Sequence, residues 1–485
     1  MNSTSTLTHS SPSHSEQRYP NVIFILSDDH GAWAMGCAGN QDIHTPNLDR
    51  LAQSGVRFTN FFCASPVCSP ARASLVTGRI PSQHGVHDWI REGNVGSDAI
   101  EYLQGLRGYT EDLADAGYYC SLSGKWHLGN SQKPQKGFQH WYAHQSGGSS
   151  YLNAPVIRDG ELCVEPTYYT DAVTDDAIRM LRQLSSESQP FYLAVHYTAP
   201  HSPWINQHPT DILAMYESCH FDSCPQGPRH PMALPSTVPA SVWTEPLENL
   251  KGYFAAVTAM DRNIGRILDE VEARHLRENT LVCYMSDNGF NCGHHGIWGK
   301  GNGTFPQNMY DTSIRVPAIF SHPGHIPQGV TSDELLSGYD LYPTLMEYVG
   351  LPWAGEDSLP GRSFAQLLRN PEASHRSSVV VYDEYGPVRM IRTREWKYVH
   401  RYPYGPHELY DLINDPDEQT NLLLSDDLSP TIKRRVVELK GELEAWFVQY
   451  ADPHRDGIRE PVVGRGQLNL AGPMGKGQSA FAQDK

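Results

Sequence analysis

Positive charge is in short supply in this chain. Its 38 lysines and arginines face 55 aspartates and glutamates, for a formal net charge of −17. That balance argues against non-specific nucleic-acid binding and against attachment to an anionic membrane. An anionic substrate stays open, because a few local cations can hold one while the rest of the surface repels. A long polyanion would feel that repulsion, which favours a small or sparsely charged substrate. Long apolar runs are also missing, and none approaches a membrane span. The N-terminal MNSTSTLTHSSPSHSEQRYP is polar, rich in Ser and Thr, and has no apolar h-region. Residues 1–19 therefore read as a disordered leader rather than a signal peptide, and the protein as cytoplasmic. The nine cysteines (37, 63, 68, 120, 163, 219, 224, 283 and 292) have no repeating zinc-type spacing. They read as free thiols in a reducing compartment, Cys219 and Cys224 included. Internal repeats are absent.

What is present is the composition of a soluble globular protein, 39% hydrophobic and 19% charged, with 485 residues to build a large core. NVIFILSDDHG, Asn21 to Gly31, is a continuous β-branched run ending on two aspartates, as suits a strand buried on both faces. TPNLDRLAQSG and YTEDLADAG carry helix start and stop signals. PFYLAVHYTAPHSP is a strand running into a loop. In LKGYFAAVTAMDRNIGRILDEVEARH, Val257, Met260, Ile264, Ile267, Leu268 and Val271 form one helical stripe. TLVCYMSDNG is another apolar strand ending in polar residues. This alternation predicts an α/β domain over residues 20–370, with a large, mainly parallel sheet flanked by helices. From 371 to 463, SSVVVYDEY and VRMIRTREWKYVHRY predict antiparallel strands and TIKRRVVELKGELEAWFVQY an amphipathic helix, together a smaller C-terminal α+β subdomain. Residues 464–485 read as a mobile tail.

Ligands of such sheets bind at the carboxyl ends of strands. Three strand exits here carry Asp28-Asp29, His201 and Asp287-Asn288. Adjacent ionised aspartates repel, and a divalent cation removes the problem. Hard oxygen donors favour Ca²⁺ or Mg²⁺. In SPVCSPARASLVTGR, Cys68 sits at an expected helix N-terminus with Arg72 one turn on, the surroundings of an activated thiol. In GKWHLG, Lys125 and His127 would project from one face of an extended segment and Trp126 from the other. A lysine and a histidine converging on an anion suit ester binding and protonation of a leaving group. Lys300 lies in a glycine-rich loop, HHGIWGKGNGTFP. His84, His196 and His295 read as structural or solvated residues.

CSPARASLVTGR resembles the signature of the type I, formylglycine-dependent sulfatases of the alkaline-phosphatase-like superfamily. In that family the cysteine of a Cys-x-Pro-x-Arg core is oxidised to Cα-formylglycine. GKWHLG resembles the family's second signature. NVIFILSDDHG, TAPHSPW, SDNG with GIWGKGN, and ELYDLINDPDEQTNL agree in order and spacing. The resemblance implies an alkaline-phosphatase-like fold and one divalent cation, Ca²⁺ as the usual metal. Asp28, Asp29, Asp287 and Asn288 would hold it, with modified Cys68 contacting it through oxygen. Arg72 would stabilise the hydrated aldehyde, Lys125 and Lys300 would hold sulfate oxygens, His201 would sit at the leaving group, and His127 would assist collapse of the intermediate. An aldehyde hydrate has two hydroxyls, one to attack sulfur and one to lose a proton and expel sulfate. A serine or an unmodified thiol has no such internal release.

The implied partners are a small-molecule or saccharide sulfate ester and, during maturation, the formylglycine-generating enzyme. Carbohydrate sulfate is the first choice and an aryl or other small sulfate the second. A homo-oligomer is compatible with the sequence. Asp88, Trp89 and Arg91 of HGVHDWIREGN, with Trp204, are the candidate sugar contacts. The alternatives are a phosphonate or phosphate ester hydrolase on the same scaffold, and a non-catalytic binding protein in which Cys68 stays a thiol. Asp311 in NMYDTSIRVP stands where related sequences often carry glutamate, a conservative change away from the proposed chemistry.

Overall fold

Asn21–Ser27 (β1) is buried at all seven positions and has a parallel neighbour on each side, as its unbroken apolar sequence requires. The computed structural model describes residues 19–353, 355, 358–383, 388–402 and 405–454. The expected leader (Tyr19 apart), the end of the C-terminal subdomain and the tail lie outside the described residues. The sheet around β1 has ten strands. The others are Val56–Phe62 (β2), Tyr119–Gly124 (β3), His140–His144 (β4), Ala154–Arg158 (β5), Glu161–Glu165 (β6), Phe191–His196 (β7), Thr280–Ser286 (β8), Ala318–Ser321 (β9) and Val330–Ser337 (β10). The spatial order is β10-β2-β9-β8-β1-β7-β3-β4-β5-β6. From β8 to β4 every pair is parallel, as is β10 with β2. Strand β9 opposes both its neighbours, and β5 and β6 add an antiparallel edge hairpin.

Alternation along β1 divides the core. Val22, Phe24 and Leu26 face one side, and Ile23 and Ile25 the other. Against the second side pack Pro46–Gln53 (α1), Tyr169–Leu184 and Pro246–Ala273, through Leu48, Leu51, Leu181, Met260 and Ile264. The first side is covered by Cys68–Thr77 (α2), Tyr109–Asp115 and Leu341–Val349, through Leu75, Val76, Leu113 and Leu345. Helix 246–273 is longer than its apolar stripe predicts. Its first half is also buried away from the sheet, where Tyr253 and Phe254 meet Trp204, Tyr216 and Phe221. Among the described residues no helix is long and apolar enough to cross a membrane, and all nine cysteines are free.

The register aligns the strand exits. Ser27 pairs with Ser286, Leu26 with His196, and Gly124 with His196. The segments that follow, beginning at Asp28, Asp287, Tyr197 and Lys125, therefore leave the sheet at one edge. That edge is the carboxyl end of the parallel strands, where a ligand site is expected.

The C-terminal sheet is antiparallel: Ser378–Asp383 (β11), Val388–Thr393 (β12), Trp396–Arg401 (β13) and Glu408–Asp411 (β14), in that order. Pro430–Tyr450 starts with Ser429 Oγ accepting from Ile432 N at 3.3 Å, and it lays Leu439, Leu443 and Phe447 on the sheet. A buried ionic cluster ties this sheet to the rest of the fold. Lys397 on β13 donates to Asp311 Oδ1 at 2.5 Å and pairs with Glu418, while Arg392 lies 3.3 Å from Asp311 Oδ2. Asp311 thus serves as a structural anchor. Lys397→Met leaves Glu418 without its cation and Asp311 with only Arg392 and the more distant Arg315 to offset it. It is expected to cost about 3–5 kcal/mol, read as a lower midpoint in urea unfolding.

Candidate active site

At the end of β1 the chain turns sharply, with Asp29 at φ 62°. Asp is one of the few residues that tolerate this left-handed conformation. The turn brings Asp29 N to 3.4 Å from Asp287 Oδ1, which also accepts from Asn288 N at 2.8 Å. Asn288 Nδ2 donates to Asp29 Oδ1 at 2.7 Å. Asp28, Asp29 and Asp287 are all buried and each offers an oxygen within 4.8 Å of the others. Three side-chain cations face them. Lys125 pairs with Asp28, Lys300 Nζ reaches Asp29 Oδ1 at 2.5 Å, and Arg72 Nε reaches Asp287 Oδ2 at 2.8 Å.

Burial alone would raise Asp28, but Lys125, His201, Lys300 and Arg72 outweigh it and hold the carboxyl below the usual range. Asp287 goes the other way: burial and the Asp28 charge push it up to about 6. Asp28 Oδ1 and Asn288 Oδ1 are buried with no hydrogen-bond partner. Buried oxygens are normally satisfied. Two open ones among three carboxylates form the hard donor set of a divalent cation. Asp28, Asp29, Asp287 and Asn288 are the residues that could hold it.

Cys68 is the first residue of α2, as its sequence context predicts, and is 3% exposed. Its hydrogen-bonded cation is not Arg72. Lys300 Nζ donates to Cys68 Sγ at 2.7 Å, while Arg72 turns to Asp287 and the Lys125 carbonyl. Burial and the Asp28 charge push the thiol up to about 12, against Lys125 and Lys300. The expected activated thiol is therefore corrected: at neutral pH this sulfur is protonated and a poor nucleophile.

GKWHLG is not extended throughout, because His127 has φ 57°. Trp126 goes to the core beside Phe138 and Trp141. His127 Nε2 donates to the Ile90 carbonyl at 3.0 Å, leaving Nδ1 buried and unpartnered. Burial, then Lys125 and Arg72, drive its pKa well down, so the ring is neutral. His201 donates from Nδ1 to the Ser202 carbonyl at 2.7 Å and holds Nε2 3.8 Å from Asp29 Oδ2. His196 is buried on the Lys125 carbonyl, His84 meets Ser74 Oγ, and His295 stacks on Tyr310, all in structural roles.

Some of these groups reach a pocket of about 440 Å³, while Asp28, Asp287, Asn288, Lys125 and Arg72 are buried and are not part of its lining. Asp29, Cys68 and Lys300 line it together with His127 and His201, and Trp89 and Arg91 line it as well. Asp88 and Trp204 do not, and the core packing of Trp204 corrects that one of the expected sugar contacts. Asp88 is buried, and Trp204, 1% exposed, packs among Tyr253, Phe290 and Trp298. An indole in the core cannot stack on a sugar.

Sequence reading also passed over Gly147 and Gly148, which line the pocket. A Cβ on Gly147 would lie 2.5 Å from the His127 ring, and one on Gly148 would lie 3.1 Å from the His201 ring. The signal was a Gly-Gly pair just after a strand. Gly147→Ala is expected to displace His127 and lower kcat by about 10–100-fold. Steady-state kinetics beside a thermal melt would separate this loss from unfolding.

The family model "Sulfatase" matches residues 20–351, and the model "N-sulphoglucosamine sulphohydrolase, C-terminal" matches residues 293–445. An N-acetylglucosamine-6-O-sulfatase of Bacteroides thetaiotaomicron is 28% identical, with 95% of this chain and 91% of that protein covered. Arylsulfatase A of Homo sapiens is 30% identical, covering 84% of each. A solved structure of a protein in complex with its substrate, D-glucosamine-2-N,6-O-disulfate, matches with a TM-score of 0.76 and 25% identity, covering 90% of this chain and 99% of that one.

Proposed function

Because this chain belongs to the sulfatase family and hydrolyses sulfate esters, we propose that its substrate is a sulfated saccharide bound over residue 68. Cys68 is converted to Cα-formylglycine, and one divalent cation, Ca²⁺, is held by Asp28, Asp29, Asp287 and Asn288. The observation that carries the proposal is the convergence of three carboxylates and three side-chain cations on Cys68, with two open oxygens among them. The sugar-sulfatase relative and the disulfated glucosamine complex support a saccharide. The free cysteines support a reducing compartment, which we propose is the cytoplasm.

When bound, the cation supplies stabilisation of negative charge on sulfuryl oxygens. The formylglycine hydrate supplies the attacking hydroxyl and a second one through which sulfate is released. The chain's own residues do the rest. Paired with Asp28 and Asp29, Lys125 and Lys300 are held ready at the floor until an anionic ester arrives. Their ammonium groups then bind its oxygens and stabilise charge developing there. Arg72 Nη2 is buried and unpartnered one turn from residue 68, a donor available to an oxygen on that residue. His201, in its imidazolium form, gives the departing alcohol oxygen the proton on Nε2, while its Nδ1–H stays on the Ser202 carbonyl. His127, neutral and pinned through Nε2, takes a proton at Nδ1.

A panel of matched aryl sulfate, phosphate and phosphonate esters, with monosulfated N-acetylhexosamines, tests this reading. Sulfate esters are expected to turn over fastest and the sugars to have the higher kcat/KM. Faster phosphonate turnover would overturn the reaction class, and preference for the aryl sulfate would overturn the saccharide.

A further inference from the structure

The segment Trp89-Ile90-Arg91 is fixed to the catalytic residues by backbone bonds. Ile90 N donates to Ser69 Oγ at 3.1 Å, next to Cys68, and the Ile90 carbonyl accepts from His127 Nε2 at 3.0 Å. Beyond it, Asn94 Nδ2 donates to the Arg91 carbonyl at 3.3 Å, and Ser131 N donates to the Asn94 carbonyl at 2.6 Å. What this segment presents to the pocket is therefore held in register with residue 68.

It presents an uncompensated cation. Arg91 is exposed, lines the pocket, and lies with its guanidinium 4.5 Å from the centre of the Trp89 ring. Among the described residues it makes no ion pair. Some exposed arginines elsewhere do, such as Arg107 with Asp112, Arg262 with Asp211 and Arg394 with Asp333, and others, such as Arg229 over Trp243, do not. The indole beneath it restricts its rotamers while leaving its charge and N–H donors in place. Lys125, Lys300 and Arg72 are already committed to the floor. Arg91 is the remaining arginine or lysine in the lining, and it pairs with none of those carboxylates.

We propose that Arg91 is a selectivity residue for a second anionic group on the substrate, a sulfate or a carboxylate on the same or the adjoining sugar. This rests on the saccharide sulfatase reading of the pocket. A planar guanidinium makes paired charge-assisted hydrogen bonds to either group and weaker single bonds to a hydroxyl. Because Arg91 covers one face of Trp89, it also limits that indole as a sugar-stacking platform.

Three substrates test the proposal: a monosulfated hexosamine, the same sugar with a second sulfate, and the monosulfated sugar joined to a uronic acid. Wild-type protein is expected to prefer one doubly anionic sugar over the monosulfated parent in kcat/KM. Arg91→Gln is expected to cut that ratio by about 10–100-fold, mainly through KM. Arg91→Lys restores part of it, and added salt weakens it. The arm whose ratio falls identifies the group as sulfate or carboxylate. A ratio unchanged in Arg91→Gln, whatever the absolute rates do, overturns the proposal. If wild type releases sulfate from an aryl ester but from none of the sugars, the saccharide reading fails and the proposal with it, a result distinct from an unchanged ratio.

Discussion

Cys68→Ala is expected to lower sulfate release by on the order of 10⁴-fold or more, with the fold retained. The side chain is small, 3% exposed and at the first position of α2, so its loss opens little space. Its chemical loss is total, because no other residue of the floor can carry a sulfuryl group and let it go. The raised thiol pKa adds a second point. With burial and Asp28 pushing Cys68 up to about 12, the unmodified thiol is itself inactive at neutral pH. Cys68→Ala and unconverted wild type should therefore be equally poor. Sulfate release measured by ion chromatography, beside a thermal melt, checks this. Residual activity above about a hundredth of wild type would remove residue 68 from the chemistry.

The second large effect is at the acidic cluster. Asp28→Asn is expected to lower kcat/KM by about 10³-fold, and chelation of wild type should do the same reversibly. Asp28 is both a proposed cation ligand and the partner of buried Lys125. The substitution therefore weakens cation binding and leaves an ammonium without its carboxylate, which also costs stability. Chelation separates the two, since it leaves the ion pair in place. Added Ca²⁺ is expected to restore activity to chelated wild type and to raise its Tm, as a ligand that binds only the native state does. Calorimetric titration of Asp28→Asn should show weakened Ca²⁺ binding. Full activity of wild type after exhaustive chelation would contradict the cation assignment.

The strand exits were legible because they depend on local chemistry: an apolar run must end, and what ends it faces the edge of the sheet. Asp28, Asp29, Asp287 and Asn288 fall where that rule puts them. Cys68 opens its helix because Pro70 suits a first turn and Gly78 ends the run in a left-handed conformation. Partners were less legible. Spacing by one turn puts Arg72 on the face of Cys68, but it cannot say that Lys300, from a loop far along the chain, reaches the sulfur first. Trp204 was a candidate sugar contact as an indole close in sequence to His201. Its burial depends on Tyr253, Phe290 and Trp298, none of them near in sequence. The closeness of Gly147 to His127 is of the same kind, a contact between segments that only the folded sheet brings together.

The most direct measurement is the mass of the peptide spanning Ser65–Arg79 from protein that releases sulfate. Conversion predicts a residue 68 that has lost the elements of H₂S and gained one oxygen atom, in a fraction that rises in proportion to specific activity across preparations. A peptide carrying only the intact cysteine, from protein active at full rate, would contradict it.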